Sequence, residues 1–472
     1  LAAEMIGNLQ NWHTALQELQ QKLPNLDILL NKDEVLPYAS DMTEDFVFPP
    51  IAVARPAHVE EVQAICSICN VYKLPIHPRG AGTSLSGGSL PTAGGISVSL
   101  EKMNRILDID EENFQAVVEP GVINEDLRSA VAEKGLFYGV DPASKGSCFL
   151  GGNVAHNSGG PRALKYGVTA QNVLNLQVVL PNGSTFWTGS DTLKNSTGYN
   201  LTQLFTGSEG SLGIITKIVV KLHALPKQDR LLLAGFPDAR KACDAVTNLM
   251  KTSYIPSAIE IMEHAGVQAS LDYTGLVNPL AKDHPFYLLV ETNGNSGEEL
   301  MNHCIEMTEA LEKSGVEDVL FADDAETKEK WWKIRRIIGE AVKTKSIYKE
   351  EDVVVKRSSM GKVFEYLNQL KEEYGFDSIS YGHAGDGNVH INILKGGMTD
   401  EAWNGVELET AIRLLFRKAK ELGGTISGEH GIGYVQKKYM NEVMPEEQIE
   451  LMRGIKRVFD PNGIMNPGKI FD

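Results

Sequence analysis

One stretch constrains the chain more than any other: Tyr381-Gly382-His383-Ala384-Gly385-Asp386-Gly387-Asn388-Val389-His390-Ile391-Asn392. The residues on either side, Ser378-Ile379-Ser380 and Ile393-Leu394, alternate and β-branch like strands. Asp386-Gly387 favours a tight type I′ turn, whose two central residues need positive φ. That turn sets a register with His383 opposite His390. Opposed residues on one face have Cβ atoms roughly 4.5–5.5 Å apart, close enough for two imidazoles to share a metal. Asn392, two residues past His390, points to the same face. The bland alternative is a polar hairpin with solvated histidines. The small residues crowded round the pair favour a site, because they leave room for something to approach.

A chain of 472 residues is long enough for two to four domains with ample core. Its formal net charge of −17 disfavours nucleic-acid binding. No apolar run reaches membrane-span length, and no basic start precedes an apolar core, so neither a span nor a signal peptide is expected. The sequence begins at Leu1, not Met, which leaves open whether residues precede it. Five cysteines, an odd count, fit a reducing and hence cytoplasmic setting. Cys66 and Cys69 have metal-site spacing but sit on an amphipathic helix with no second pair, which reads as packing.

The first 40 or so residues read as helical, with Trp12, Leu16, Leu19 and Leu23 at 3–4 spacing. A strand at 51–56, a helix at 57–72 and a strand at 74–77 lead into Pro78-Arg79-Gly80-Ala81-Gly82-Thr83-Ser84-Leu85-Ser86-Gly87-Gly88-Ser89. Such a loop bares backbone N–H groups and lets the chain come close to a diphosphate. It lacks the third glycine of the dinucleotide fingerprint and the lysine of a P-loop. A second glycine-rich segment, Gly146 to Gly160, follows, with Lys165-Tyr166-Gly167 just after it. Next come a strand at 173–180, a Pro181-Asn182-Gly183 turn and Thr206-Gly207-Ser208-Glu209-Gly210-Ser211-Leu212-Gly213-Ile214-Ile215. From about Pro226, strands at 230–236 and 286–291 alternate with helices, suggesting an α+β, ferredoxin-like unit. Trp331-Trp332 opens a helix in this reading, and a helix from Met360 to Tyr374 precedes the hairpin. Beyond it, Ser427-Gly428-Glu429-His430-Gly431 sets an acid and a histidine among glycines.

This order of motifs resembles the FAD-binding domain of vanillyl-alcohol oxidase (PCMH) type flavoproteins. More narrowly, it is similar to the D-2-hydroxyacid dehydrogenases acting on D-lactate, glycolate and D-2-hydroxyglutarate. The resemblance implies an α+β fold with four parts: an N-terminal helical segment (1–45), an FAD-binding domain (46–225), a ferredoxin-like substrate cap (226–424) and a C-terminal helical return (425–472). It implies that Gly80, Gly82, Thr83, Ser84 and Gly88 hold the FAD pyrophosphate. Ser147, Gly151, Gly152, Asn153, Ser158, Gly159 and Tyr166 would line the isoalloxazine and ribityl, and Gly213 and Ile215 the adenine half. Arg79, Ala81, Gly87, Pro142, Asn157 and Asn466 complete the cofactor set. His77 precedes the first loop, which contains no histidine, so the FAD should be non-covalent. His156 stands where relatives carry threonine or an acid.

His383, His390 and Glu429 would then bind a divalent ion, zinc first, with iron or manganese as alternatives. A 2-hydroxy acid can chelate such an ion, with His430 as general base. The resemblance puts Arg335 on the substrate carboxylate, and Asn392 could hydrogen-bond the substrate. No NAD fingerprint is present, so electrons would pass to a quinone, a cytochrome, an electron-transfer flavoprotein or a partner subunit. Homodimerisation and peripheral membrane association stay open. A small D-2-hydroxy acid is expected ahead of 2-hydroxyglutarate. Two other classes compete. One is a different flavoenzyme on the same scaffold, such as an alkylglycerone-phosphate synthase or aryl-alcohol oxidase, for which no extra basic cluster speaks. The other is a non-catalytic flavin subunit, which should lack the histidine set.

Overall fold

Trp12 and Leu19 are the buried stripe of the helix Ala2–Lys22, which packs on a second helix, Val59–Tyr72. The first helix is shorter than the sequence suggests. Pro24 follows its end, and Asp27–Leu29 is a strand. The structure is a computed structural model describing residues 2–43 and 46–471. It divides into two units, one made of Leu1–Ser158, Val168–Leu225 and Glu429–Asp472, the other of Gly159–Gly167 and Pro226–Gly428.

In the first unit, β1 (Asp27–Leu29), β2 (Ala52–Arg55), β3 (Ile76–Arg79) and β4 (Ile96–Ser99) form a sheet in the order β1-β2-β4-β3. Strands β2 and β3 run parallel to β4, and the helix Val59–Tyr72 is the crossover that parallel strands need. Cys66 and Cys69 lie fully buried on that helix among Val62, Ile65 and Ile76. Burial pushes the Cys69 thiol up to about 12 and Cys66 well above the ordinary range, as packing residues require.

The second sheet of this unit contains β5 (Ile106–Asp110) and β6 (Gln115–Val118). Strand β7 (Leu136–Phe137) lies outside it, and β8 (Val173–Val179), β9 (Thr185–Trp187) and β10 (Ile214–Lys221) complete it in the antiparallel order β5-β6-β10-β8-β9. Gly183, at φ +84°, makes the turn between β8 and β9. Strand β11 (His223–Ala224) pairs with β7. After the helix Glu446–Phe459, the C-terminal tail returns to the first sheet, where Met465 bridges to Ile76.

The second unit begins with β12 (Gln228–Phe236), β13 (Ala258–Glu263), β14 (Phe286–Gly294) and β15 (Asp318–Ala322). Their order, β15-β12-β14-β13, is that of a ferredoxin-like sheet, with helices Ala239–Leu249 and Gly297–Lys313 in the expected connections. Strands β16 (Tyr348–Val354), β17 (Asp377–His383) and β18 (Asn388–Leu394) extend it to seven, in the order β15-β12-β14-β13-β17-β18-β16. Thr425 and Ser427 bridge to β16, so the unit runs to Gly428. Trp331 and Trp332 lie in the last turns of the helix Ala325–Arg336, not at its start. That helix is capped by Asp324, whose carboxylate accepts the Thr327 N–H at 2.9 Å.

The segment 159–167, expected within a continuous FAD domain, belongs to this second unit. Arg162 makes paired hydrogen bonds of 2.8 Å to Glu291, whose carboxylate also accepts from Ser257 (2.7 Å) and Trp332 (3.0 Å). Among the described residues no helix is long and apolar enough to cross a membrane.

Candidate active site

In the first unit the two glycine-rich segments meet. A Cβ on Gly80 would lie 3.6 Å from the Cα of Gly152. Gly82 and Gly87 take φ values of +76° and +75°, which turn the loop back on itself. Ser84 Oγ accepts the Gly88 N–H at 3.1 Å, and Thr43 Oγ1 accepts that of Gly87 at 2.6 Å. Residues 81–85 are half-buried, and none of their backbone N–H groups meets an acceptor among the described residues. Such a row of bare N–H groups suits a diphosphate.

Arg79 serves this loop as a strut. It is buried, donates to Ser40 O (2.9 Å) and Ser89 Oγ (3.3 Å), and lies where a Cβ on Gly82 would be. Gly151 is pressed against Pro120, where a Cβ would come within 2.6 Å, whereas one on Gly152 would meet nothing within 4 Å among the described residues. Beside it, Asn153 is buried with its Nδ2 unpartnered among the described residues. A bare N–H row, an open glycine and an orphaned amide fit a flavin dinucleotide.

The other expected cofactor residues are distributed as follows. Asn466 is fully engaged, donating to Gly88 O (3.0 Å) and Glu209 O (2.8 Å) and pairing with His77 Nδ1 (3.0 Å). Burial, with Lys469 nearby, lowers His77 to about 4. Asn157 caps the helix Leu150–His156 in the left-handed region and accepts the Ala170 N–H at 2.8 Å. Pro142 and Ser147 belong to a turn in which Ser147 is exposed and donates to Ser144 O. Ser158 O accepts the N–H and hydroxyl of Thr169. Gly213 closely approaches Val179 O, and Ile215 is core. Gly159 and Tyr166 fall in the second unit, where the Tyr166 hydroxyl donates to Asn293 at 2.8 Å.

In the second unit the hairpin register differs from the expected one. Tyr381, not His383, stands opposite His390. The connection is a four-residue loop, 384–387, in which only Gly387 has positive φ, so the type I′ condition is not met. His383 becomes a diagonal neighbour of His390 on the same face. The two rings lie 5.2 Å apart and perpendicular.

Each histidine has a carboxylate behind it. Glu260 on β13 receives His383 Nδ1 at 2.9 and 3.0 Å. Asp352 on β16 lies 3.4 Å from His390 Nδ1. The bond to Glu260 fixes the His383 tautomer and leaves its other ring nitrogen to act as a ligand, whereas Asp352 sits beside His390 at ion-pair distance. Neither pairing is legible in the sequence, because the sheet order alone brings each acid to its histidine. Asp352 also accepts Asn388 Nδ2 (2.7 Å), Ser427 Oγ (3.0 Å) and the Gly428 N–H (2.9 Å), fixing the strand that leads to Glu429.

Arg335 Nη2 pairs with Glu260 at 2.5 Å, and its guanidinium lies over the Tyr381 ring. Burial pushes the Glu260 carboxyl up, but Arg335 and His383 outweigh it and hold the carboxyl below its ordinary range. Arg335 Nε has no partner among the described residues. Asn392, fully buried, has neither amide atom partnered there. The face therefore offers two carboxylate-backed imidazoles, a guanidinium and an unsatisfied amide.

Glu429 and His430 open the last segment of the first unit. Ser86 Oγ donates to His430 O at 2.9 Å, and Glu209 accepts the N–H groups of Ile432 and Gly433. Glu209, like Glu260 and Glu291, carries no motif signal in the sequence.

The profile described as "FAD linked oxidases, C-terminal domain" matches residues 225–470, and that described as "FAD binding domain" matches 50–189. The chain belongs to the FAD-linked oxidase family. As a member of that family it is an FAD-binding oxidoreductase. It is 38% identical to glycolate oxidase subunit GlcD of Bacillus subtilis, over 92% of this chain and 92% of the relative. It is 37% identical to a D-lactate dehydrogenase of Anaerostipes hadrus, over 91% and 93%. A solved p-cresol methylhydroxylase shares the fold, with a TM-score of 0.78 at 20% identity over 98% of this chain and 97% of that one.

Proposed function

We propose that this FAD-linked oxidase oxidises a small D-2-hydroxy acid, of the D-lactate or glycolate kind, to the 2-oxo acid. The observation that carries the reading is the sheet face of the second unit. His383 and His390, each backed by a buried carboxylate, stand there beside Arg335 and the unsatisfied Asn392. The names of the relatives, a glycolate oxidase subunit and a D-lactate dehydrogenase, support the substrate class.

Residues 79–84, 87–88, 151–153 and Asn466, with the other expected contacts, would hold FAD without a covalent bond. FAD, when bound, supplies the acceptor for the hydride leaving C2. His383, His390 and Glu429 would hold a divalent ion, zinc before iron or manganese. Such an ion lowers the pKa of a chelated hydroxyl. Arg335 would grip the substrate carboxylate, its fork suited to bidentate contact while Glu260 holds it from behind. Asn392 would satisfy its amide on the substrate. His430 would take the hydroxyl proton, an imidazole being matched to that task near neutral pH. With no NAD fingerprint, electrons go to a quinone, cytochrome, electron-transfer flavoprotein or partner subunit.

Anaerobic titration of the yellow protein with D-lactate, glycolate, D-2-hydroxybutyrate and D-2-hydroxyglutarate tests the reading. Bleaching of the flavin by a small D-acid supports it. No bleaching by any of the four would overturn it in favour of a different flavoenzyme on this scaffold or a non-catalytic flavin subunit.

A further inference from the structure

Immediately after Glu429 the backbone makes a turn built on two glycines. Gly431 and Gly433 have φ values of +82° and +53°. A Cβ on Gly431 would come within 2.8 Å of His156 Nδ1 and 2.9 Å of Glu209 Oε1. One on Gly433 would come within 2.1 Å of Ser86 O. Both glycines therefore exist to let the turn press against three fixed groups.

Glu209 and Ser86 hold it by hydrogen bonds from two sides. Glu209 Oε1 accepts the Ile432 N–H at 2.8 Å, and Oε2 accepts that of Gly433 at 2.7 Å. Ser86 donates its hydroxyl to His430 O at 2.9 Å, and its own carbonyl accepts the N–H groups of Tyr434 (2.8 Å) and Val435 (3.2 Å). Glu209 and Ser86 are both buried. Glu209 is itself in the left-handed region, at φ +51°, with its N–H on Ala155 O and its carbonyl on Asn466. A carboxylate held this rigidly, with both oxygens on backbone N–H groups of one turn, fixes that turn.

We infer that Glu209 and Ser86 are positioning residues for His430, a clamp that ties the proposed base to the same glycine-rich loop that would cradle the FAD diphosphate. Ser86 lies between Ser84 and Gly87 of that loop, so order in the loop and orientation of His430 are coupled. The inference rests on the proposed function for the role of His430, and on the hydrogen bonds alone for the clamp.

The test compares the holoenzyme with Glu209→Gln and Ser86→Ala. Glutamine keeps one acceptor and turns an NH₂ group toward the other N–H, so one of the two bonds is lost. Serine to alanine removes the bond to His430 O and the 3.3 Å contact with Ser84 Oγ, and leaves the Glu209 bonds in place. Amide exchange across 430–435 should speed up in both variants. FAD content and KM for D-lactate should stay within about twofold of wild type, while kcat falls roughly ten- to hundredfold in Glu209→Gln and less in Ser86→Ala. The kinetic isotope effect on kcat with C2-deuterated D-lactate should rise, because the chemical step slows. If Glu209→Gln fails to retain FAD, Ser86→Ala decides alone. Faster exchange with kcat and isotope effect unchanged would overturn the positioning role, and unchanged exchange would overturn the clamp. If the wild type bleaches with no 2-hydroxy acid, the functional reading fails instead, a result distinguished because the exchange difference persists.

Discussion

Glu260 and His383 form a buried pair, with the imidazole Nδ1 2.9 Å from one carboxylate oxygen and Arg335 2.5 Å from the other. The pair orients the ring and at the same time neutralises the guanidinium. Glu260→Gln should keep the shape but lose the charge. Metal affinity is then expected to fall about 10–100-fold, as when the outer partner of a ligating histidine is removed. Elemental analysis after dialysis against graded chelator reads this directly. His383→Ala and His390→Ala should abolish turnover while the flavin spectrum persists. Full activity after exhaustive chelation, with no metal found, would remove the ion from the mechanism.

A Cβ on Gly152 would meet nothing beyond its own helix within 4 Å among the described residues, although the residue lies inside the helix Leu150–His156. The protein itself therefore has no use for the missing side chain. Gly152→Ala should stabilise the flavin-free protein by about 0.5–1 kcal/mol, the helix-propensity difference. Gly152→Leu should fold equally well and bind FAD poorly. Thermal denaturation without flavin, set beside flavin fluorescence titration, separates the two effects. Acid precipitation of the wild type should release the yellow colour into the supernatant. Loss of folding in Gly152→Leu would show that the space above residue 152 belongs to the protein.

Arg162 holds Glu291, fully buried, so strongly that the acid's pKa falls to about 2 in spite of burial, which alone would raise it. The ordinary carboxyl value is near 4.5. Between these two pH values the unfolded chain binds more protons than the folded one, so stability rises with pH across that window. The contribution is complete above about 4.5 and is lost as pH falls through about 2. Arg162→Met leaves a buried carboxylate unpaired and should cost about 3–5 kcal/mol at neutral pH. Urea titrations at pH 7 and 3 should show the variant's deficit shrinking at the lower pH. A deficit of equal size at both would mean that the loss is one of packing.

Much of this architecture is legible in the sequence, and the gaps have physical causes. The helix 360–374 and the strands around Ile76 and Val173–Val179 follow from local periodicity and stand where it puts them. The hairpin register does not. Asp-Gly favours a two-residue turn only if both residues accept positive φ, and here Val355 pairs with Gly387 O and pulls the loop open. Glu260 lies 123 residues from His383, and Arg162 lies 129 from Glu291. No window along the chain contains such pairs. Strand order creates them, and strand order is set by which strands complete the ferredoxin-like sheet. The segment 159–167 belongs to the second unit for the same reason, through the buried Arg162–Glu291 pair and the bonds of Lys165 and Tyr166 to Asn293, none of which carries a periodic signal.

The last prediction concerns the size of the acid. Two features of the Asn392 face disfavour a second carboxylate. Glu350 stands opposite Asn392 across β16 and β18, half-buried, bringing a negative charge to that register. Lys349 is exposed on the alternate face, over the Trp403 ring, and Lys356 packs its stem against Gly423. Neither lysine stands at the Glu350 position to offer compensation. At Gly339 a Cβ would lie only 2.9 Å from the Tyr381 hydroxyl, so Tyr381 fills the space that a larger residue at 339 would take. Without charge-assisted bonds worth roughly 1.5–3 kcal/mol each, D-2-hydroxyglutarate should lose to D-lactate or glycolate by roughly a few tens-fold or more in kcat/KM. Glu350→Lys should narrow the gap, and Gly339→Thr should disturb Tyr381 and lower turnover of the small acids too. A clear preference of the wild type for D-2-hydroxyglutarate would sink this prediction. Preference for an L-acid would mean that Arg335 and Asn392 hold the substrate by its other face.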